Sequence, residues 1–584
     1  MANGFGSFYV GQSGLTSAQN AINVTANNLA NVNTTGYVRE QVRFSDKNYI
    51  VRDPATINTN VQQNGLGVSI SDVAHARDIF IDKSYRQEVG RQGFYDTMHQ
   101  SVCYVEDILQ EMNGQEFKGA ISDMWVAFQE FAKDPGNSTN QNLVLQKAEL
   151  FLSRSGAVYK DLQSYQSNIN LQIKDTVNRI NEIGKEIYKL NLTIQKIEAG
   201  GVETAMADRD ARDLLLDELA QYVKIDVEED RTGFAYVKME GVNFIELNRC
   251  NEIGLRAQKG SGFYTPYWDH LSDDNKEHYI DLIDIHQTIS TEMKTDIGSL
   301  KALLVARGDT YGTFDYLSPE NYDSVEDCVV METQSDISYL VNQMVTQIND
   351  VFCPNKTADE LLPAGSMTAF DEKGAYMVAR DANGKEYKIY SDTKLLDEKS
   401  CSVGADGKIP PEELFAREGY PRYTEVTSDD GNTYYLYNGE TDENVSSWYK
   451  LGNVSINSNL IKEVTNLPSY KQDGAVDYEI GNNLVRLFEK EQLKITPSDN
   501  TPCNFEDFYD KMISRLGTAG NVYDSATKTL TATIESIDNQ RQQIMGVSSD
   551  EELTHMIKFQ SAYNAASRYI TVISEMTELL VQLI

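Results

Sequence analysis

The chain has 584 residues, which at about 150 residues per domain corresponds to roughly four domains rather than one compact core. Its 52 Lys and Arg residues against 88 Asp and Glu residues give a net charge of −36, which excludes nucleic acid and anionic membrane surfaces as partners, since both would repel it. Hydrophobic residues make up 40% of the chain, and no apolar run of about 18 residues could span a bilayer.

The N-terminal segment is uncharged as far as Arg39 and is rich in Gly, Ser, Thr, Asn and Ala. It has neither the basic nor the apolar region of a cleaved secretory signal, so we expect none. An apolar 3-4 repeat predicts a helix that ends at Thr35-Gly36, with the seam Leu15, Ala18, Ile22, Thr25, Leu29 and Val32. A polar stripe lies beside the seam, and Asn buried there would fix the helix register: Asn20, Asn23, Asn27 and Asn31. Since this composition does not fold alone, we expect the helix to pair in an assembly; a solvated N-terminal arm is the alternative.

The interior divides by its prolines, because proline breaks helix interiors and central strands. Eight of the 12 prolines fall between Pro354 and Pro502, which predicts loops and short strands there. Apolar spacing predicts helices over 177–197, 203–222 and 334–352. Alternation around turn residues predicts β-hairpins over 224–247, 373–392 and 429–451.

The C-terminal segment repeats the 3-4 spacing over four heptads, along Met556, Phe559, Tyr563, Ala566, Ile570, Ile573, Thr577, Leu580 and Ile584. This pattern predicts one half of a coiled coil. Met576, Leu579 and Leu583 broaden the apolar stripe, so we expect this helix to contact more than one neighbour.

These patterns predict a multidomain α+β fold. A terminal coiled-coil domain pairs the N- and C-terminal helices, from 1–50 and 530–584. A mainly helical, bundle-like core with β-hairpins comprises 51–245, 295–352 and 452–529. β-rich outer domains are inserted at 248–294 and 353–451 and face solvent.

Candidate catalytic and metal sites are weak. The six cysteines are far apart and form no C-x-x-C pair, and no H-E-x-x-H, G-x-S-x-G or Walker A motif occurs. Asp406-Gly407 and Glu413 match only half of an EF-hand loop. His278 and His286 lie near several aspartates, a pattern more typical of a solvated acidic surface. We predict no enzyme activity, no cofactor and no metal.

Both ends resemble a known family. ANNLANVNTTGYVRE at 26–40 resembles the N-terminal signature of bacterial flagellar rod, hook and hook-associated proteins, and the segment 545–584 resembles the C-terminal end of the same family. Three interior stretches resemble the helical domain of the hook-associated protein 1 family: 119–135, the long helix that ends near 197, and the stretch that begins at Ala207. The resemblance covers about 1–245, 295–352 and 452–584.

The resemblance implies a structural protein of the hook-filament junction that is exported unfolded by the flagellar type III route to an extracellular position. Expected partners are the hook protein, the second junction protein, further copies in a ring, and an export chaperone on the C-terminal helix. The implied assembly interface comprises Leu15, Ile22, Asn27, Asn28, Leu29, Asn31, Gly36, Tyr37, Phe559, Gln560, Tyr563, Ile570, Ile573, Met576 and Leu580. The alternative is a flagellar axial protein whose insertions act as an extracellular adhesin or enzyme.

Overall fold

The computed structural model describes residues 2–47, 50–51, 63–109, 117–200, 204–273, 278–363, 366–372, 374–441 and 444–582. The helices are α1 Ala2–Ala30, α2 Ile79–Leu109, α3 Phe117–Lys133, α4 Ser138–Glu198, α5 Met206–Tyr222, α6 Ser299–Arg307, α7 Val329–Phe352, α8 Ala358–Leu361, α9 Ser458–Lys462, α10 Tyr478–Glu489, α11 Phe505–Met545 and α12 Ser549–Gln582. The architecture confirms a multidomain α+β fold with helices at both ends and several β-sheets.

The strands are short and pair antiparallel. Their bounds are β1 Glu40–Asp46, β2 Ile50–Val51, β3 Gln63–Asn64, β4 Val68–His75, β5 Ile225–Glu229, β6 Ala235–Met239, β7 Val242–Glu246, β8 Arg249–Cys250, β9 Ile253–Ala257, β10 Tyr264–Trp268, β11 Asn355–Thr357, β12 Ala369–Asp371, β13 Gly374–Arg380, β14 Glu386–Tyr390, β15 Lys394–Leu396, β16 Phe415–Arg417, β17 Tyr423–Ser428, β18 Thr433–Tyr437 and β19 Val454–Ile456. One sheet has four strands in the order β5-β6-β7-β8. Another has seven, in the order β11-β15-β18-β17-β13-β12 with β14 on β13.

The main core lies around α4, a helix of 61 residues that is about 90 Å long at 1.5 Å per residue. The side chain of Asn137 caps its start by accepting a hydrogen bond from the Thr139 amide at 2.9 Å. The predicted apolar spacing over 177–197 is confirmed, because Ile180, Ile187 and Ile194 are buried. Helices α2, α3, α5, α7, α10 and α11 pack with α4 into one hydrophobic cluster.

The predicted hairpins are confirmed in two of three places. Strands β5 to β7 form the first, where Glu240 and Gly241 both take the left-handed conformation that a tight turn requires, and β13 and β14 form the second. The prediction for 429–451 is wrong in its pairing. The long strand of this segment, β18, pairs with β17, which ends before Asp429. The hairpin is therefore formed by β17 and β18, and its turn lies earlier in the sequence than the alternation predicted.

The two predicted insertions are not equally separate from the main core. From 248–294, Trp268, Leu282 and Ile283 join the main hydrophobic cluster. From 353–451, a second cluster forms around Met377 and Val426 on the seven-stranded sheet, while Phe415 and Tyr449 pack into the main cluster. The domain boundaries given above stay a prediction, and a clean excision of 353–451 would remove part of the main core.

Candidate assembly site

The two terminal helices pair with each other within the chain. Helix α1 packs along α12 in antiparallel order, so Gly11 lies against Ile570, Gly14 against Ala566, and Asn28 against Glu552. A Cβ atom on Gly11 would lie 2.7 Å from a side-chain carbon of Ile570. Glycine at this position therefore permits the close approach of the two helices.

The buried surface of α1 differs from the predicted seam. Small residues fill it: Gly11, Ser13, Ser17, Ala18, Ala21, Thr25 and Asn28. They are buried because α1 lies between α12 and the β1–β4 pair, to which Ser17 donates a hydrogen bond. The larger Leu15, Ile22 and Leu29 lie half-buried on the flank of this contact, and Val32 lies beyond the helix end. Of the predicted seam, Ala18 and Thr25 are buried in this contact, whereas its larger residues are not.

Asn28 is the polar residue that joins the terminal elements, and only 1% of it is exposed. Its Nδ2 donates to the carbonyl of Glu40 at 2.9 Å and to the Glu552 carboxylate at 3.2 Å. Its Oδ1 accepts from the Tyr37 hydroxyl at 2.8 Å and from the Glu40 amide at 3.0 Å. All four hydrogen-bonding positions of the amide are thus used.

The predicted polar stripe, which does not include Asn28, is not buried. Asn20, Asn23 and Asn27 are exposed and Asn31 is half-buried. Asn31, which follows the last residue of α1, instead donates to the Asn27 carbonyl one turn earlier, at 3.0 Å. The asparagine that fixes the register is therefore Asn28, which lies on a different face of α1 from the predicted stripe.

The electrostatics around Asn28 favour neutral groups. Burial, followed by the charges of Glu40, Asp210 and Glu552, raises the pKa of Tyr37, so its hydroxyl stays protonated and donates. Burial also raises the pKa of Glu40, against the hydrogen bond from Asn27 that lowers it. An amide at position 28 can donate to Glu552, whereas a second carboxylate there would repel it.

The signature loop after α1 docks onto the helical core. Gly36 has a φ of +79° and lies against Leu214 of α5. The Val38 amide donates to Asp210 at 3.2 Å, and the Arg39 amide donates to the carbonyl of Met545 at the end of α11 at 2.8 Å. The loop thereby ties α1 to α5 and α11.

His75 of β4 lies beside this loop, with its Nε2 3.5 Å from Asp210 Oδ1. Burial, and then the nearby Arg77 and Arg209, lower the pKa of His75 to about 4. Burial raises the pKa of Asp210 to about 6, although the Val38 amide and Arg77 act in the opposite direction. His75 is therefore neutral at pH 7, so its contact with Asp210 is not an ion pair.

A buried ionic network sits below the loop and joins three helices. Arg541 of α11 contacts Asp82 of α2 and Asp217 of α5, each at 2.7 Å. The network continues through Arg77 and Arg86, which pair with Asp82, Asp213 and Asp217. Three guanidinium groups thus face three carboxylates, of which Asp213 and Asp217 lie in the run 207–217 and Asp82 lies on α2. The i, i+4 spacing of Asp213 and Asp217 beside leucines was the available signal.

Apolar side chains remain exposed after α1 and α12 pair. On α12, four exposed apolar side chains repeat at 3-4-3 spacing: Tyr569, Val572, Met576 and Leu579. Tyr569 borders the contact with α1, where a Cβ atom on Gly11 would lie 3.0 Å from its ring, and Val572 and Leu579 are 47% and 60% exposed. On α1, Phe8 is 42% exposed and continues the heptad spacing of Leu15, Ile22 and Leu29. We call the four α12 residues the outer stripe.

The structure gathers most of the predicted interface residues into this terminal unit. Phe559, Tyr563, Ile570 and Ile573 lie half-buried on the α1 side of α12, where the Phe559 ring lies 6.1 Å from that of Phe44. Gln560 and Met576 are exposed. The side chain of Leu580 and all of Leu583 and Ile584 lie outside the described residues. Glu552 and Arg541 were not predicted.

Among the described residues, no group of three or more His, Cys, Asp or Glu side chains is arranged to hold a metal ion. At Glu413, the carboxylate instead accepts from the Tyr449 hydroxyl at 2.7 Å. No helix in the described ranges has the length and apolarity of a membrane span.

Three family descriptions match the chain in order. Flagella basal body rod protein matches residues 8–37, flagellar hook-associated protein FlgK helical domain matches 103–352, and flagellar basal body rod FlgEFG protein C-terminal matches 539–583. Flagellar hook-associated protein 1 of Bacillus subtilis is 25% identical over 566 residues, covering 97% of this chain and 95% of that protein. The FlgK domain match and this full-length relative support the identification of the chain as a flagellar hook-associated protein 1. The homologue of Salmonella typhimurium is 21% identical over 576 residues, covering 96% of each chain.

Among solved structures, the flagellar hook junction protein FlgK from Burkholderia pseudomallei aligns over 79% of this chain and 99% of its own, at 12% identity and a TM-score of 0.47. The family models place the terminal unit in the segments shared with rod proteins, and the long helices in the segment specific to hook-associated protein 1. The FlgK helical-domain match and the hook-associated protein 1 homologues support a structural role at the flagellar hook-filament junction.

Proposed function

We propose that this member of the hook-associated protein 1 family is a junction subunit that assembles into a ring through its terminal helices. The observation that carries the proposal is the outer stripe, which stays exposed although α12 is already paired with α1. Exposed apolar surface at regular helical spacing is typical of a protein interface. The occupant in this proposal is an adjacent axial subunit.

The size of the outer stripe fits a repeated interface. Burying a large apolar side chain completely contributes about 1.5–3 kcal/mol, so four side chains that are about half exposed can contribute about 4 kcal/mol per subunit. Each subunit of a ring repeats this contribution. The stripe is therefore large enough to matter in an assembly.

The half-buried residues of α1 extend the proposed surface. Phe8, Leu15, Ile22 and Leu29 lie on the flank of the α1–α12 contact at heptad spacing. A neighbouring helix could cover them without separating α1 from α12. We propose that Leu15, Ile22 and Leu29 act in assembly from this flank, whereas Asn28 and Tyr37 act within the subunit by holding the paired helices to the loop.

The test is Leu579→Asp in flagellated cells. A carboxylate buried between subunits without a partner costs several kcal/mol, whereas the same carboxylate in the free subunit stays in water. We expect the variant to be made and folded but to assemble no junction, so that filament subunits are lost to the medium. Leu171→Asp on α4 is the matched control, since Leu171 is 57% exposed and lies outside the terminal unit. Normal filaments on the Leu579→Asp variant would contradict the proposal.

We also propose that the subunit is exported by the flagellar type III route and reaches an extracellular position between the hook protein and the second junction protein. The uncharged N-terminal segment and the family membership support this route. Processing of the N-terminus by signal peptidase would contradict it.

An export chaperone on the C-terminal helix follows from the same exposed surface. Before assembly, the outer stripe would favour aggregation, and a chaperone that covers it would prevent this. A truncation that removes 545–584 should abolish co-purification of that chaperone with the subunit. Binding that survives the truncation would contradict this part of the proposal.

No specific observation favours an adhesin or enzyme activity of the segments 248–294 and 353–451, and we propose none.

A further inference from the structure

Two carboxylates on α7 share one guanidinium from α11. Glu332 and Asp336 lie one turn apart on α7, and Arg515 of α11 reaches both. Its Nη1 lies 3.0 Å from Glu332 Oε1, and its Nη2 donates to Asp336 Oδ2. The Asp336 side chain is fully buried and that of Glu332 is 17% exposed.

The carboxylates are not fully satisfied by this arrangement. Asp336 Oδ1 is buried and has no hydrogen-bond partner among the described residues. Glu332 Oε1 accepts a bond from the Tyr322 hydroxyl at 3.3 Å in addition to its ion pair with Arg515. Two negative charges against one positive charge would leave one buried charge uncompensated, which is costly in a protein interior.

The groups that face the pair from neighbouring elements add negative rather than positive charge. The segment before α7 supplies Tyr322, Glu326 and Asp327, and α11 supplies Arg515 and Tyr523. From α2, the Tyr95 ring contacts the Tyr523 ring, with centroids 6.2 Å apart. Within the described part of the chain, Arg515 is the one cation among the groups that shift the pKa of either carboxyl.

A cavity adjoins the pair and connects it to the surroundings. It has a volume of about 310 Å³ and is lined by Glu332, Arg515, Asp327 and both tyrosines, with Met512 and Leu516 as its apolar wall. Water can enter a polar cavity of this size. The cavity therefore offers a path by which protons can exchange between the carboxylates and solvent.

We propose that the α7–α11 contact is a proton-dependent latch, in which Glu332 and Asp336 hold one proton between them while Arg515 balances the remaining charge. With the proton bound, one carboxyl can donate a hydrogen bond and the cluster is neutral. When the proton is lost, the buried cluster carries one carboxylate charge that Arg515 does not balance. Separation of α11 from α7 would let water solvate that charge, so α11 is held less firmly. Because α11 continues to Arg541 and then to α12, the latch connects the pH of the surroundings with the base of the terminal unit.

The pKa shifts agree in direction with this arrangement. Burial raises the pKa of Asp336, and Glu332 raises it further, against the effect of Arg515. Burial and then Asp327 raise the pKa of Glu332, again against Arg515. A carboxyl whose pKa is raised by folding contributes stability that is present below its ordinary pKa and is lost as the pH rises towards the raised value.

The test compares the full-length wild type with Asp336→Asn, an uncharged side chain of the same shape. Hydrogen exchange of peptides covering 510–523, corrected for intrinsic exchange rates, is measured from pH 5 to pH 9.5. The protection of wild type relative to Asp336→Asn should fall by up to about tenfold per pH unit until the shared proton is lost, and then level off. Glu320→Gln removes an exposed carboxylate of the segment before α7 that does not line the cavity, and it should follow the wild type at each pH.

Glu332→Gln is the second variant, because replacing either carboxyl removes the need for the proton. It should reduce the pH dependence in the same way, which keeps the test valid if Asp336→Asn folds poorly. A ratio of protection that stays constant with pH would overturn the proposal. So would loss of protection at every pH in both variants, since that would mean that both charges stabilise the contact.

Discussion

Replacing Asn28 with Asp tests the role of the buried amide in joining the terminal helices. The two side chains have the same shape, so the substitution changes no packing. The Oδ1 contacts with Tyr37 and the Glu40 amide can remain, whereas the two bonds donated by Nδ2 are lost. The new carboxylate would face the Glu552 carboxylate, which is only 2% exposed, and a carbonyl oxygen.

The magnitude of the effect is limited by protonation, because a buried carboxyl can take a proton instead of remaining charged. Protonating Asp at pH 7 costs about 1.4 kcal/mol for each of the roughly 3 pH units above its ordinary pKa, or about 4 kcal/mol in total. The destabilisation should therefore be about 4 kcal/mol at pH 7 and should shrink by about 1.4 kcal/mol for each pH unit below 7.

The assay is hydrogen exchange of peptides from α1 and α12, which reports the local opening of the terminal pair rather than global unfolding. Asn23→Asp is the control, since Asn23 is exposed on the same helix and its substitution should change protection little. Equal protection of Asn28→Asp and wild type would refute the reasoning. A loss that does not diminish with acidification would refute the electrostatic part of it.

Three further outcomes are expected. Gly11→Ala should weaken the α1–α12 pair by about 1–3 kcal/mol because its Cβ would meet Ile570. Gly6→Ala is the control: its Cβ meets nothing within 4 Å, so it should raise helix stability. Equal effects of the two substitutions on hydrogen exchange would contradict this. Arg541→Met should destabilise the joint of α2, α5 and α11 by about 3 kcal/mol, since it leaves Asp82 and Asp217 short of a partner, and a loss under about 1 kcal/mol in denaturant unfolding would count against it. Wild type should lose up to about 3 kcal/mol relative to His75→Gln as the pH falls from 6.5 to 4, because only the unfolded chain binds that proton; a parallel pH dependence of the two proteins would contradict it.

Periodicity predicted the long elements well because each has one dominant neighbour. The 3-4 spacing around Ile180 and Ile187 marks the face that α4 buries in the core, and 334–352 falls within α7. Turn residues such as Gly241 marked hairpins for a local reason, since few residues accept a positive φ. These features depend on residues close in sequence.

The candidate site was harder to predict because its contacts join distant residues. Hydrophobic spacing favours large side chains, so it selected Leu15 and Ile22, whereas a helix between two close neighbours buries small residues such as Gly11 and Ala21. Asn28 was identified through the family signature, but its partner Glu552 is 524 positions away. In a chain with 88 carboxylates, no spacing could single out Glu552, or Asp82 as a partner of Arg541.

The most direct test of assembly through the outer stripe is photocrosslinking in flagellated cells. A photoreactive amino acid is placed at position 579 on α12 or, as a control, at position 171 on α4, where the natural leucines are exposed to a similar degree. We expect adducts with neighbouring axial subunits from position 579 in assembled flagella and none from position 171. Intact flagella that give no intersubunit adduct from position 579 would contradict it.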